Sequence, residues 1–362
     1  MTSKQCSTLL TAALLLAPLA AQAATVELYG LIDTGLKFKK IDGQTSTVEM
    51  ASGQRSGSRW GIEGTEAITD NISVGFALEA GINSDTGEQK DKDKIFDRNS
   101  YLFIKHDAYG TIRLGRTGAL VGGCNGGMFA GSATPFGITW GLAGSNKTLQ
   151  GATSRVDNSI MYISPKMAGF TGYAQFSNGT DGEDHSSEAN KERYAALGLR
   201  YNNGPLDVRA VVDQTLATGH FDEDDQVTAG ITANYKFDFA RIYATYQWAE
   251  NVAKFGDKGI TQVSLKESES HAFILAATKE ISGIDFMTQV GYVVAEDKDG
   301  KKYDRTGLTL AASYDLSKNV DIYTAATHVW YGKTFDKPYG KKLDKEYAQT
   351  AFELMAGLRY SF

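Results

Sequence analysis

The residues whose chemistry could be put to work are five histidines, a few acidic runs, clustered glycines and two cysteines. His106, His185, His220, His271 and His328 could each act as a general base, but hydrolysis needs a histidine beside a serine or aspartate, oriented by a third polar group. None of the five stands in such a motif. His185 and His220 fall in acidic stretches and His106 beside a turn, as solvated or interfacial histidines do. The acids at 181–188 and 222–225 lack the glycine and terminal glutamate of a Ca²⁺ loop. The glycines near 122–131 lack the strand-to-helix setting of a phosphate cradle. Cys6 sits in an apolar leader, and Cys124 has no histidine or acid nearby in sequence, so it reads as an inert loop cysteine with no disulfide partner. The sequence therefore predicts no enzyme, no metal and no cofactor.

What positions these residues begins with the leader. Lys4 precedes an apolar run from Leu9 to Ala20, followed by Ala21-Gln22-Ala23. The run is too short to span a bilayer and has the form of a secretory signal peptide, so residues 1–23 are expected to be removed and 24–362 to form one domain. The formal net charge is −6, with basic and acidic residues interleaved throughout. Nucleic-acid binding would call for a basic face or arm, and is not expected.

A mean hydropathy of −0.29, with no long apolar run after residue 23, excludes helical membrane spans. A closed β-barrel remains, because it pairs every backbone donor and acceptor internally while needing only alternate residues to be apolar. Periodicity supports it. Val26, Leu28, Ile32, Leu36 and Phe38 share one face of the first segment against Glu27, Asp33 and Lys37. Val227, Ala229, Ile231, Ala233, Tyr235 and Phe237 alternate with polar residues in the same way. At the end of the chain, Phe352, Leu354, Ala356, Leu358, Tyr360 and Phe362 lie on one face, with Glu353, Gly357, Arg359 and Ser361 facing inward. A terminal strand closing on Tyr360 and Phe362 resembles the signal by which outer-membrane barrels are recognised for assembly.

Segments of this kind, from 25–39 and 56–66 through to 348–362, number about sixteen, an even count as bacterial barrels require. The fold class is all-β, a transmembrane antiparallel barrel. Tight turns near 108–110, 202–204, 237–238 and 282–283 alternate with long charged connections at 85–94, 178–191, 251–269 and 332–346, which read as external loops. One connection differs. Residues 117–154 are glycine-rich, weakly charged and carry Phe129, Phe136 and Trp140. So long a segment with so little charge is expected to fold against something, and inside a barrel it would fill and narrow the lumen.

The stretches SRWGIEGTEAI (58–68), DRNSYLFIKH (97–106), GTIRLGR (110–116), SRVDNSIMYISP (154–165) and the ending GLRYSF stand in order around that connection. Together they resemble the sixteen-stranded trimeric general diffusion porins of Gram-negative bacteria, especially the β-proteobacterial and neisserial branch, over essentially the whole mature chain. The resemblance implies a homotrimer in the outer membrane, in contact with lipid and lipopolysaccharide, passing small hydrophilic solutes and ions passively. It further implies that the third loop folds inward as a constriction facing a row of arginines. The matching positions are Arg59, Arg98 and Arg155, with Arg116 at the loop root as a fourth candidate; Arg59 shares inward parity with Glu63, and Arg98 with Ser100.

The chain departs from that pattern in two places. Enterobacterial members carry loop carboxylates in a Pro-Glu-Phe-Gly-Gly sequence, whereas here the matching stretch is Gly122, Gly123, Cys124, Asn125, Gly126, Gly127 and Met128, with no Asp or Glu from Thr117 to Arg155. Arginines facing an uncharged loop predict a mild anion preference. Offsetting it are the inward acids Glu27, Asp33, Glu63 and Glu79, and Leu31 where the family often has lysine. Two other readings remain: a substrate-specific channel, and a surface adhesin with a blocked lumen.

Overall fold

The computed structural model describes residues 25–124, 127–179, 192–216, 225–332 and 348–362. In chain order the strands are β1 (Thr25–Ile41), β2 (Thr47–Ser52), β3 (Arg59–Thr69), β4 (Ile72–Gly81), β5 (Asn99–His106), β6 (Gly110–Gly118), β7 (Arg155–Ile163), β8 (Phe170–Ser177), β9 (Arg193–Asn203) and β10 (Leu206–Leu216). They continue as β11 (Gln226–Lys236), β12 (Arg241–Glu250), β13 (Lys254–Asp257), β14 (Thr261–Ser264), β15 (Glu269–Ile281), β16 (Ile284–Glu296), β17 (Lys302–Asp315), β18 (Val320–Tyr331) and β19 (Thr350–Ser361). Three 3₁₀ turns between β6 and β7 are the only helical elements among the described residues.

Each wall strand pairs antiparallel with its neighbour, and β1 pairs with β19 from Leu31↔Ser361 to Ile41↔Ala351, so the sheet closes on itself. Closure leaves no edge with unpaired backbone groups, which a bilayer would penalise. The wall has sixteen strands, because β2 and β3 together form one: β1 pairs with β3 through its first half and with β2 through its second. Gly30 and Phe362 exchange both backbone hydrogen bonds at 3.0 Å, so the last residue of the chain is stitched to the first strand.

Side chains sort as the period-two reading expects. Leu102, Leu114, Leu197, Leu275 and Leu310 are exposed on the outside, while Thr228, Thr232, Gln247, Gln289, Thr309 and Glu353 are buried on the other face. A soluble sandwich would place these polarities the other way round, with its apolar face buried. On β19, Glu353 is buried and Leu354, Leu358 and Tyr360 are exposed, as anticipated.

Three expectations need correction. The second strand does not run from 56 to 66: its ladder begins at Arg59, because residues 53–58 leave the wall as a bulge. Gly53 there has φ +66°, a conformation glycine adopts without penalty. The connection at 251–269 is not simply an external loop. It forms the β13–β14 hairpin, which packs Phe255 and Leu265 into the same buried cluster as Phe129 and Leu120. Finally, Ser100 shares its parity with the exposed Leu102 and Ile104, so the inward direction of Arg98 does not follow from strand alternation; Arg98 precedes β5 and turns inward from the loop.

Candidate functional site

Residues 119–151 hydrogen-bond to the buried face of strand after strand. Leu120 N donates to Gln175 Oε1 on β8 (3.0 Å), Arg209 Nη1 on β10 to Met128 O (3.0 Å), Thr245 Oγ1 on β12 to Ala133 O (2.9 Å) and Gln289 Nε2 on β16 to Ala143 O (2.9 Å). Leu142 N donates to Glu353 Oε1 on β19 (2.8 Å). The wall makes room with glycine: a Cβ on Gly230 would lie 2.2 Å from Phe129 Cζ, and one on Gly198 2.2 Å from Met128 Sδ. Phe129, Leu120, Val121 and Ala133 are fully buried as a result. Trp140 takes a left-handed conformation (φ 64°, ψ 41°), and its N–H donates to Gln54 O in the 53–58 bulge.

Where this segment approaches β1 to β7, a cavity of about 590 Å³ remains open. Arg55, Arg59, Arg98, Arg155, Arg359 and Lys90 line it together with Asp97 and with Gly123, Cys124, Pro135, Gly137, Ile138 and Thr139 of the segment. The cations are held in a regular way. Glu79 is shared by Arg98 and Arg59 (3.4 Å to Arg59 Nε), and Asp321 by Arg55 and Arg359 (2.6 Å to Arg359 Nε). Arg155 has no ion-pair partner among the described residues; its Nε donates to the Arg98 carbonyl at 3.0 Å. One carboxylate per two guanidiniums orients the side chains and leaves positive charge over, in a setting only partly screened by water.

The bulge accounts for Arg55. Asp33 accepts the N–H groups of Arg55 (2.9 Å) and Ser56 (2.6 Å), which folds 53–58 inward and sets the Arg55 guanidinium 5.5 Å from the Trp140 ring centre. The structure brings Arg59, Arg98 and Arg155, named from the sequence, to one cavity together with Arg55 and Arg359, which were not named. Arg359 was visible as an inward residue of β19, but its neighbours come from the other end of the chain. Arg116 stands apart: it pairs with Asp157, which also binds Lys94, and it does not line the cavity. In strand alternation Arg116 has the parity of the exposed Ile112 and Leu114, beside a register shift between Gly115 and Thr117. Gly123 and Cys124 line the cavity, Gly122 and Gly127 lie behind, and Asn125 and Gly126 fall outside the described residues. Cys124 is buried and lines the cavity with these arginines.

On the far side of the barrel one carboxylate, Asp257, is surrounded by cations. Arg305 on β17 donates to Asp257 of the hairpin (2.7 Å) and to Leu142 O (3.0 Å), Tyr331 Oη donates to Asp257 (2.7 Å), and Lys147 lies 3.5 Å from the same carboxylate. Burial pushes the Asp257 carboxyl up, but Arg305, Lys147 and Tyr331 outweigh it and hold the group below the usual carboxylate range. Among the described residues no cluster of histidine, cysteine or acids could hold a metal ion.

Comparison with known proteins agrees with this architecture. The Gram-negative porin family model matches residues 10–333. An outer membrane porin protein of Bordetella pertussis is 28% identical over 360 residues, covering 87% of this chain and 91% of that one. Two solved structures superpose along nearly the whole chain. The anion-selective porin of Comamonas acidovorans has TM-score 0.72 at 20% identity, with 94% of this chain and all of that one covered. OmpT of Vibrio cholerae in its trimer form has TM-score 0.65 at 19% identity, with 94% and 100% covered. With a closed sixteen-stranded wall, an apolar outside and a polar inside, the chain belongs to the Gram-negative porin family, outer-membrane channels for the passive passage of small hydrophilic solutes.

Proposed function

We propose that residues 119–151 fold into the lumen as a constriction, and that Arg59, Arg98 and Arg155, joined by Arg55 and Arg359, give the channel a preference for anions. The observation that carries this reading is the sharing of Glu79 and of Asp321 by two arginines each, on a cavity also lined by a segment without Asp or Glu. A charged ring at the narrowest point acts on ions where the water column is thinnest, so it outweighs the net negative charge spread over the loops. The inward acids Glu79 and Asp33 do not cancel it, because Glu79 is one charge shared by two arginines and Asp33 is buried under the bulge and does not line the cavity. The fold shared with an anion-selective porin supports the same sign of selectivity.

In this reading residues 1–23 are a cleaved signal peptide, and residues 24–362 assemble as a homotrimer in contact with outer-membrane lipid and lipopolysaccharide. Tyr360 and Phe362 act as the assembly signal. Their exposed, stacked rings at the end of the closing strand support that role. The test is single-channel recording in planar bilayers under a KCl gradient, with wild type compared to Arg59→Ala/Arg98→Ala/Arg155→Ala. Triplet steps with chloride preference in the wild type and its loss in the variant are expected. Steps whose reversal potential is the same in both would discard the constriction assignment, and absence of conductance would favour the adhesin reading.

A further inference from the structure

The constriction reading leaves open which anions the passage suits, and the part of the cavity lined by the 119–151 segment bears on this. A second wall of carboxylates would produce a purely electrostatic slot. Here that part carries Pro135 and Ile138, both partly exposed, set among glycines and Thr139. The strip is rigid. A Cβ on Gly123 would lie 2.4 Å from Ile138 Cγ2, so Ile138 is seated directly on the backbone. Behind it Phe136 and Trp140 pack edge to face at 5.4 Å, and Trp140 against Tyr323 at 5.2 Å, which holds the turn in place. The same cavity offers Arg155, which has no ion-pair partner among the described residues, beside Arg98.

We propose, resting on the constriction reading above, that the passage favours organic carboxylates with a compact apolar body over small hydrophilic anions of equal charge, with Pro135 and Ile138 as the determinants. The carboxylate meets the guanidiniums of Arg155 and Arg98, a geometry in which arginine donates two parallel hydrogen bonds. The apolar body then lies against Ile138 and Pro135 and leaves water, while an anion lacking such a body gains only the charge interaction. A cavity of about 590 Å³ has room for a single ring with part of its hydration shell.

The test uses the full-length trimer in planar bilayers, with sodium benzoate and sodium acetate as probes of chloride current. Benzoate is expected to block saturably, at least about threefold more tightly than acetate, the discrimination that one buried methylene supplies. Ile138→Ala should reduce the benzoate-to-acetate ratio, and Ile138→Thr, which keeps the branched shape, should reduce it as well. A wild-type channel that prefers chloride to potassium but holds acetate as well as benzoate overturns the inference alone. So does an unchanged ratio in both Ile138 variants. A wild-type channel that prefers potassium overturns the constriction reading and the inference together.

Discussion

Arg305 and Arg155 are both arginines on the inner face of one barrel, and the structure treats them in opposite ways. Arg305 is 1% exposed and bonded to Asp257 and the Leu142 carbonyl, and its charge goes into locking the hairpin and the 119–151 segment to the wall. Arg155 lies on an open cavity, bonded to one carbonyl and no carboxylate. The difference separates two uses of buried charge. A completed pair holds a fold in place, because removing one partner strands the other. An incomplete set keeps a potential available to a passing ion.

The largest break in this comparison should come from the closed side. Asp257→Ala strands Arg305 and Lys147 and is expected to cost about 3–5 kcal/mol in the stability of the packed interior. The check is urea or thermal unfolding of purified protein. Phe129→Ala, which empties the space above Gly230, should cost about 3–5 kcal/mol if the cavity stays open and less if the segment settles into it. Arg155→Ala should move unfolding by less than about 1 kcal/mol while lowering chloride preference; a stability loss as large as that of Asp257→Ala would erase the distinction between the two sides.

Acid sharpens the same contrast. The Asp257 carboxyl is held below the ordinary range in the folded protein, so its contribution is complete at neutral pH and above the unfolded value of about 4. It is lost as the pH falls through the lower folded value. Protease protection of residues 251–268 should therefore hold from pH 7 to about 5 and decline only in stronger acid, and a decline already between pH 7 and 6 would contradict the latch. The smallest effect concerns Cys124. A negatively charged thiol reagent should label it faster than a positively charged one of equal size, by up to about tenfold at low salt, with the bias shrinking as salt is added.

The wall was legible in the sequence because strand alternation is a local property. Each lipid-facing position is dictated by its own neighbours at i±2, so Val227 to Phe237 and Phe352 to Phe362 could be assigned without knowing what lay beside them. The same locality explains the errors. Residues 53–58 read as the start of a strand because no short-range signal marks a bulge held by Asp33, twenty residues earlier. Residues 251–269 read as an outer loop because they are rich in charge, and no local signal shows that Phe255 and Leu265 are buried or that Asp257 meets Arg305.

The sequence by itself determined a closed, outward-apolar barrel and one long connection without acids, since period and composition act residue by residue. Which arginines meet, and which carboxylate each pair shares, was decided only by the tertiary structure. Arg55 and Arg359 are 304 positions apart in the chain, and they share Asp321 because β1 closes on β19. Electrostatic energy depends on distance through space, and no pattern along the chain carries that distance.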